Sequence, residues 1–132
     1  MMIKDFELDD LIGFIPNELS DPRDISFVFS DDEYYKYTLV NGGAKAIIVF
    51  RYNGNDDWCG FFLISEDFTP RDGILVKQFI KKTVAKYKPK RLWTVSYESP
   101  VIERWHKFLG MKREDPIVIH GKKCDVWSIK WE

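Results

Sequence analysis

Hydrophobic and polar positions alternate in blocks whose period changes along the chain, and the pattern becomes regular after Asn41-Gly42-Gly43, a strong turn signal. Ala44–Tyr52 (AKAIIVFRY) predicts a buried strand, Asn53–Asp57 a hairpin turn, and Trp58–Ser65 (WCGFFLIS) a second strand antiparallel to the first. Glu66–Asp72 then reads as a loop. Gly73–Tyr87 places Val76, Phe79, Ile80, Val84 and Tyr87 on one helical face, with lysines on the other. Leu92–Tyr97 predicts a strand rich in β-formers. After it, Ser99 is set to cap a short helix, Pro100 suits its first turn, and Gly110 ends it; Val101, Ile102, Trp105, Phe108 and Leu109 form its apolar stripe. Pro116–His120 and Cys124–Trp131 predict a closing hairpin about Gly121-Lys122-Lys123.

The first forty residues are less periodic. A short helix is expected around Asp9–Ile12, a turn at Ser20-Asp21-Pro22, and either a strand or a helix over Ile25–Phe29. Ser30-Asp31-Asp32-Glu33 is expected to cap a helix running into Tyr34, Tyr35 and Tyr37. The same acidic cluster would also suit a cationic amine.

A chain of 132 residues makes one domain, residues 1–132, with room for a core. Aromatic residues reach 16%, which points to a core or groove built from flat rings. The formal net charge of −1 leaves no bulk field to draw the protein onto nucleic acid or an anionic membrane, so neither partner is expected. The lysines of Lys77–Arg91 read as the solvated face of a helix, or as a docking patch for a phosphate-bearing ligand. Cys59 and Cys124 read as buried thiols of a reducing compartment, and the acidic N-terminus has no leader-like apolar stretch, so a cytoplasmic location is expected. Two histidines and two scattered cysteines give no metal-binding spacing, and all five tryptophans are expected in the core.

The order hairpin, helix, strand, helix, hairpin implies an α/β (α+β) chain with a mixed central sheet, because a strand–helix–strand crossover sets Trp58–Ser65 and Leu92–Tyr97 parallel. From Ala44 to Glu132 this order, with Ser99, Leu109, Gly110 and Met111 around the second helix, resembles the GNAT-type N-acetyltransferase fold. The stretch Tyr87–Lys112 also resembles, loosely, the small GNAT-related proteins of short-tailed bacteriophages. The resemblance implies an acyl-CoA-dependent N-acyltransferase using acetyl-CoA and an amine or protein acceptor, with homodimers formed through edge strands. The phage likeness implies instead an inactive virion or host-interaction protein, in the host cytoplasm or the virion.

What the resemblance implies about the site can be placed residue by residue. The family's Arg/Gln-x-x-Gly-x-Gly/Ala phosphate loop falls on Pro70, Gly73 and Leu75, so only Gly73 is kept, Arg71 stands one place late, and Asp72 brings a negative charge. Cofactor contacts are therefore expected from Ile64, Ser65, Arg71, Asp72, Gly73, Ile74, Leu75 and Ser99, with the backbone N–H groups near Ile64-Ser65 holding the thioester carbonyl. The plainer reading of Arg71-Asp72-Gly73 is a loop-to-helix transition capped by Asp72. His106 stands where the family has a tyrosine that protonates the leaving thiolate, and Glu66 and Glu98, one at each strand end, are the candidate bases. Each of the three also has a plain reading as an ordinary helix or surface residue.

Overall fold

The computed structural model describes residues 2–20, 25–29 and 34–131. Seven strands form one mixed sheet in the order β1-β2-β3-β4-β5-β7-β6. They are β1 (Met2–Asp5), β2 (Tyr34–Val40), β3 (Ala44–Tyr52), β4 (Asp57–Ile64), β5 (Arg91–Tyr97), β6 (Lys112–Ile119) and β7 (Lys122–Ile129). A 3-10 turn spans Leu8–Leu11, and the helices are α1 (Ile25–Val28), α2 (Pro70–Tyr87) and α3 (Pro100–Phe108). Every neighbouring pair is antiparallel except β4 with β5, the pair joined through α2.

Strand periodicity divides the core. Ala46, Ile48 and Phe50 of β3, Phe62 and Ile64 of β4, Leu92 of β5 and Trp127 of β7 share one core cluster with Val76, Ile80 and Val84 of α2 and Trp105 and Leu109 of α3. Ile47, Val49 and Leu63 point the other way and are covered by Val28 of α1 and by Phe6, Leu11 and Phe14.

The turn at Asn41-Gly42-Gly43, the strand Ala44–Tyr52 and the parallel β4–β5 pair stand where the sequence put them. Three expectations are corrected, and one strand was not foreseen. Tyr34, Tyr35 and Tyr37 lie in β2 rather than a helix, because all three pair with β3, and Tyr37 also with β1, and this pairing outweighs local propensity; the Ser30–Glu33 cap lies outside the described residues. Met2–Asp5, which carried no strand expectation, pairs with β2. The α2 helix begins at Pro70, three residues before the expected Gly73, since Thr69 caps it and proline is tolerated in a first turn. Trp105 and Trp127 are buried, but Trp58 and Trp93 are half-buried and Trp131 is exposed.

Cys59 and Cys124 are buried thiols with no disulfide between them. No helix among the described residues is long and apolar enough to cross a membrane.

Candidate functional site

The parallel strands β4 and β5 are hydrogen-bond partners over three residue pairs only, Asp57–Arg91, Trp58–Leu92 and Cys59–Trp93. That end is stapled. Asp57 accepts from the Trp93 indole at 2.9 Å and from the Asn53 amide at 3.1 Å, and lies 3.3 Å from the Arg91 guanidinium, which also bonds Glu114 at 2.9 Å. Beyond Cys59 and Trp93 the strands part. The sheet is thereby opened at the C-terminal ends of two parallel strands, with the N-termini of α2 and α3 close by.

Side chains from both strands and from α3 line the gap: Phe62, Thr94, Val95, Ser96, Ile102, Trp105 and His106, with Leu19 reaching in from the N-terminal segment. The space left is ≈ 10 Å³, about the room of one water. Ser96 Oγ, Trp105 Nε1 and His106 Nδ1 are buried with no hydrogen-bond partner. Such orphaned groups cost about 1–3 kcal/mol each, so this lining is polar beyond what its apolar filling satisfies.

The backbone facing the gap is already engaged. Ile64 donates its N–H to Ser20 Oγ at 2.8 Å, and its carbonyl accepts from Asn17 N at 2.7 Å and from Ser20 Oγ at 3.0 Å. The next N–H on that edge, Glu66, donates to the Ile15 carbonyl at 2.7 Å. Ser65 N–H points the other way and pairs with Lys45 O of β3 at 2.9 Å. Of the two amides expected to hold a carbonyl, one is therefore taken by a serine hydroxyl and the other by the sheet.

At the start of α2, Thr69 and Asp72 form a reciprocal capping box: Asp72 N donates to Thr69 Oγ1 at 3.3 Å, and Thr69 N donates to Asp72 Oδ2 at 2.9 Å. Asp72 is fully buried and also accepts from Asn41 Nδ2 at 3.0 Å. Burial pushes its carboxyl pKa upward, but the bonds from Asn41 and Thr69 and the charge of Lys45 outweigh it, so the group sits below its ordinary range. Gly73 lies inside the first turn, where an added Cβ would stand 3.5 Å from the Phe68 and Trp105 rings and 3.7 Å from Phe108. Arg71 and Ile74 are exposed, and Leu75 is half-buried beside Phe79.

The other expected residues fall in separate places. Ser99 caps α3, its hydroxyl accepting from Ile102 N at 3.5 Å. Glu98 is exposed, pairs with Lys123 at 3.2 Å, and lines a cleft of ≈ 510 Å³ with Ser99, Glu103, Arg113 and Asp125. Glu66 lines a different hollow of ≈ 150 Å³ beside Asp10, Phe14 and Asp67. The two carboxylates do not converge on one cavity.

His106 is 4% exposed, its ring 5.4 Å from that of Trp127. Burial lowers its pKa to about 4, so the imidazole is neutral at pH 7. A proton donor of the expected kind needs an imidazolium, which burial removes; the neutral ring offers a hydrogen-bonding nitrogen instead. His120, expected as a turn residue, is one, with φ 50 beside Gly121. Among the described residues no cluster of His, Cys, Asp or Glu is placed to hold a metal ion.

The chain superposes over nearly its whole length on solved structures. The spermidine N-acetyltransferase of Vibrio cholerae, as its F149A mutant, superposes with TM-score 0.70 over 99% of this chain and 95% of its own at 9% identity. The ribosomal-protein-S18-alanine N-acetyltransferase of Escherichia coli gives TM-score 0.69 over 98% and 93% at 14% identity. The fold is the GNAT fold. An acetyltransferase of Bacillus subtilis, solved in complex with CoA, also matches, with TM-score 0.67 over 98% and 96% at 11% identity. No protein-family model and no curated protein sequence matches the chain. The fold likeness extends over the first forty residues, where the sequence pattern alone showed no resemblance.

With Leu19 in the gap ≈ 10 Å³ is free and coenzyme A has no room there, so the fit turns on the chemistry of the lining and of the start of α2. The orphaned polar atoms of the gap suit a polar, extended ligand. The start of α2 does not suit a pyrophosphate. Pro70 has no N–H to offer, Asp72 N and Gly73 N are bonded to Thr69, the buried Asp72 carboxylate stands in the same turn, and the Phe68, Trp105 and Phe108 rings cover Gly73.

Proposed function

We propose that this GNAT domain is an N-acyltransferase that takes its acyl donor, acetyl-CoA, in the gap between β4 and β5 and transfers to an amine or protein acceptor. One observation carries the reading: the two strands part after three pairs, and the gap keeps three buried polar atoms that Leu19 cannot satisfy. A ligand that pairs with Ser96 Oγ, Trp105 Nε1 and His106 Nδ1 is favoured over an aliphatic side chain by the desolvation those atoms already carry. In this reading Glu98, at the end of β5, exposed and 3.2 Å from Lys123, accepts the proton of an incoming amine. Glu66, at the end of β4, is the other carboxylate able to do so. His106 orients bound groups through Nδ1.

The experiment is direct. The chain is incubated with acetyl-CoA and a panel of polyamines, amino acids and peptide N-termini, and thiol release is followed. Release with at least one acceptor, lowered by Glu98→Gln, is expected. No release, together with no rise in melting temperature at millimolar acetyl-CoA, refutes the reading.

A second reading has its own observation in favour. Asp72, ionised and fully buried, sits at the N-terminus where a pyrophosphate would approach. A GNAT scaffold with that feature works without coenzyme A, through protein contacts, as a virion or host-interaction protein would. Under this reading acetyl-CoA leaves the melting temperature unchanged, and Asp72→Asn does not restore a response.

A further inference from the structure

We propose that Ile15–Ser20 is a latch that closes the gap between β4 and β5 by taking the place of an extended ligand, and that it opens separately from the rest of the fold. The ligand half of this proposal rests on the gap being the donor site; the opening does not.

The argument starts from backbone accounting. Where β4 leaves β5, Ile64 and Glu66 turn backbone groups toward a partner strand that is no longer there, and buried backbone groups of this kind are nearly always paired. The partner here is not a strand. Asn17 N and the Ser20 hydroxyl serve the Ile64 carbonyl, the same hydroxyl receives the Ile64 N–H, and the Ile15 carbonyl receives the Glu66 N–H. Pro16 faces Ser65 in an isolated antiparallel bridge that never becomes a ladder, and proline has no N–H with which to extend one. Leu19 then fills the interior among Phe62, Val95, Ile102 and Trp105.

The latch is lightly held. Of its bonds to Ile64 and Glu66, two rely on the Ser20 hydroxyl rotor, and Ile15 is 53% exposed. Ahead of it, Gly13 stands at φ 72 in the left-handed region and, with no side chain, is the least restricted joint between the turn and the latch. The preceding 3-10 turn is fastened independently. Asp10 accepts from Thr38 at 2.8 Å, from Glu7 N at 2.8 Å and from Lys4 at 3.0 Å. A hinge therefore lies between a fixed turn and a segment whose removal uncovers Ile64 N–H, Ile64 O and Glu66 N–H in one step. An amide-bearing chain entering the gap would compete with the latch for those same atoms and would reach the three orphaned side chains that Leu19 leaves unpaired.

Two variants test it, on the whole chain. Leu19→Ala with Ser20→Ala weakens the latch; Pro16→Cys with Ser65→Cys, opposite one another in the bridge, locks it on oxidation and frees it on reduction. Amide exchange is read residue by residue by NMR. In the weakened variant Ile64 and Glu66 are expected to exchange at least about tenfold faster, while Ser65, bonded to β3, keeps its rate. Oxidation of the cysteine pair should slow both amides and reduction restore them in the same molecules. Unchanged exchange at Ile64 and Glu66 in the weakened variant, or equal exchange in oxidised and reduced forms, overturns the latch. Acetyl-CoA separates the two claims. A melting shift that is larger in the weakened variant and absent in the oxidised form supports both latch and donor site. Amides that open while acetyl-CoA shifts no form uphold the latch and refute the donor reading. An undiminished shift in the oxidised form refutes the latch as a competitor.

Discussion

Lowering the pH from 7.5 to 5.0 should destabilise the folded chain chiefly through one side chain, His106. Its folded pKa is about 4 against 6.5 for an unburied imidazole, the cause being burial against Trp127 without a partner for Nδ1. The sign follows from which state binds the proton. Above pH 6.5 the ring is neutral in both states and contributes no pH dependence. Between 6.5 and 4 only the unfolded chain takes up the proton, so stability falls with pH; below 4 both states are protonated and the loss levels off. With those two values the loss at pH 5.0 is about 2 kcal/mol, approaching about 3 kcal/mol at lower pH. The carboxylates act in a different window. Asp10 and Asp72 have folded pKa values below 3.8, so their contribution is whole above that value and is lost only as pH falls through the folded pKa.

Urea unfolding followed by tryptophan fluorescence at pH 7.5 and 5.0 measures the difference. The His106→Gln variant serves as the comparator and His120→Gln as the control for the chain's other histidine. Wild type and H120Q should each lose about 2 kcal/mol more than H106Q between the two pH values. An equal loss in H106Q and wild type would refute the assignment of a buried, neutral imidazole.

Three further outcomes follow from the same geometry. Asp72→Ala removes one side of the capping box and strands Asn41 and the Thr69 N–H, so it should lower stability by about 2–3 kcal/mol in urea unfolding. Gly73→Ala meets only ordinary contacts at 3.5 Å in a helical position. It should therefore be neutral or stabilise by up to about 1 kcal/mol, whereas a fall in acetyl-CoA response without loss of stability would show that the glycine is needed for close ligand approach. Burial also holds the Cys59 thiol above its ordinary pKa, so Cys59 should react with a disulfide reagent at neutral pH only after unfolding; rapid reaction in the folded state would contradict the burial.

The elements most legible in the sequence were those whose burial pattern has one period. Ala44–Tyr52 reads as a strand because five consecutive residues of β3 are buried between α2 and the N-terminal cover. Ser99-Pro100 and Gly110 mark the ends of α3 because capping is a local effect: Ser99 bonds Ile102, and Gly110 adopts φ 87. The edge strand Met2–Asp5 was not legible, since only two of its four residues are even half-buried and its pairing with Tyr37–Val40 lies more than thirty residues away. Tyr34–Tyr37 misled for the same reason, a helix-like cap signal set against long-range pairing.

At the site, Ser99, Ile64 and Asp72 were named from sequence as cofactor contacts; Ser99 and Asp72 cap the starts of α3 and α2, and Ile64 bonds Ser20. The residues that fill the gap were missed. Nothing in Pro16-Asn17-Glu18-Leu19-Ser20 shows that its backbone will pair with Ile64, because such pairing depends on where β4 and β5 part. Ser96, Trp105 and His106 meet across a strand and a helix, and their lack of partners is visible only in three dimensions.

The measurement that bears most directly on the account is a titration of acetyl-CoA into isotope-labelled protein, observed by NMR. The indole N–H of Trp105 and the backbone amides of Ile64 and Glu66 should shift together and saturate, while amides of β3 such as Ala46 stay in place. Shifts confined to other surfaces, or none at millimolar ligand, would contradict the claim that the parting of β4 from β5 is the working site of this domain.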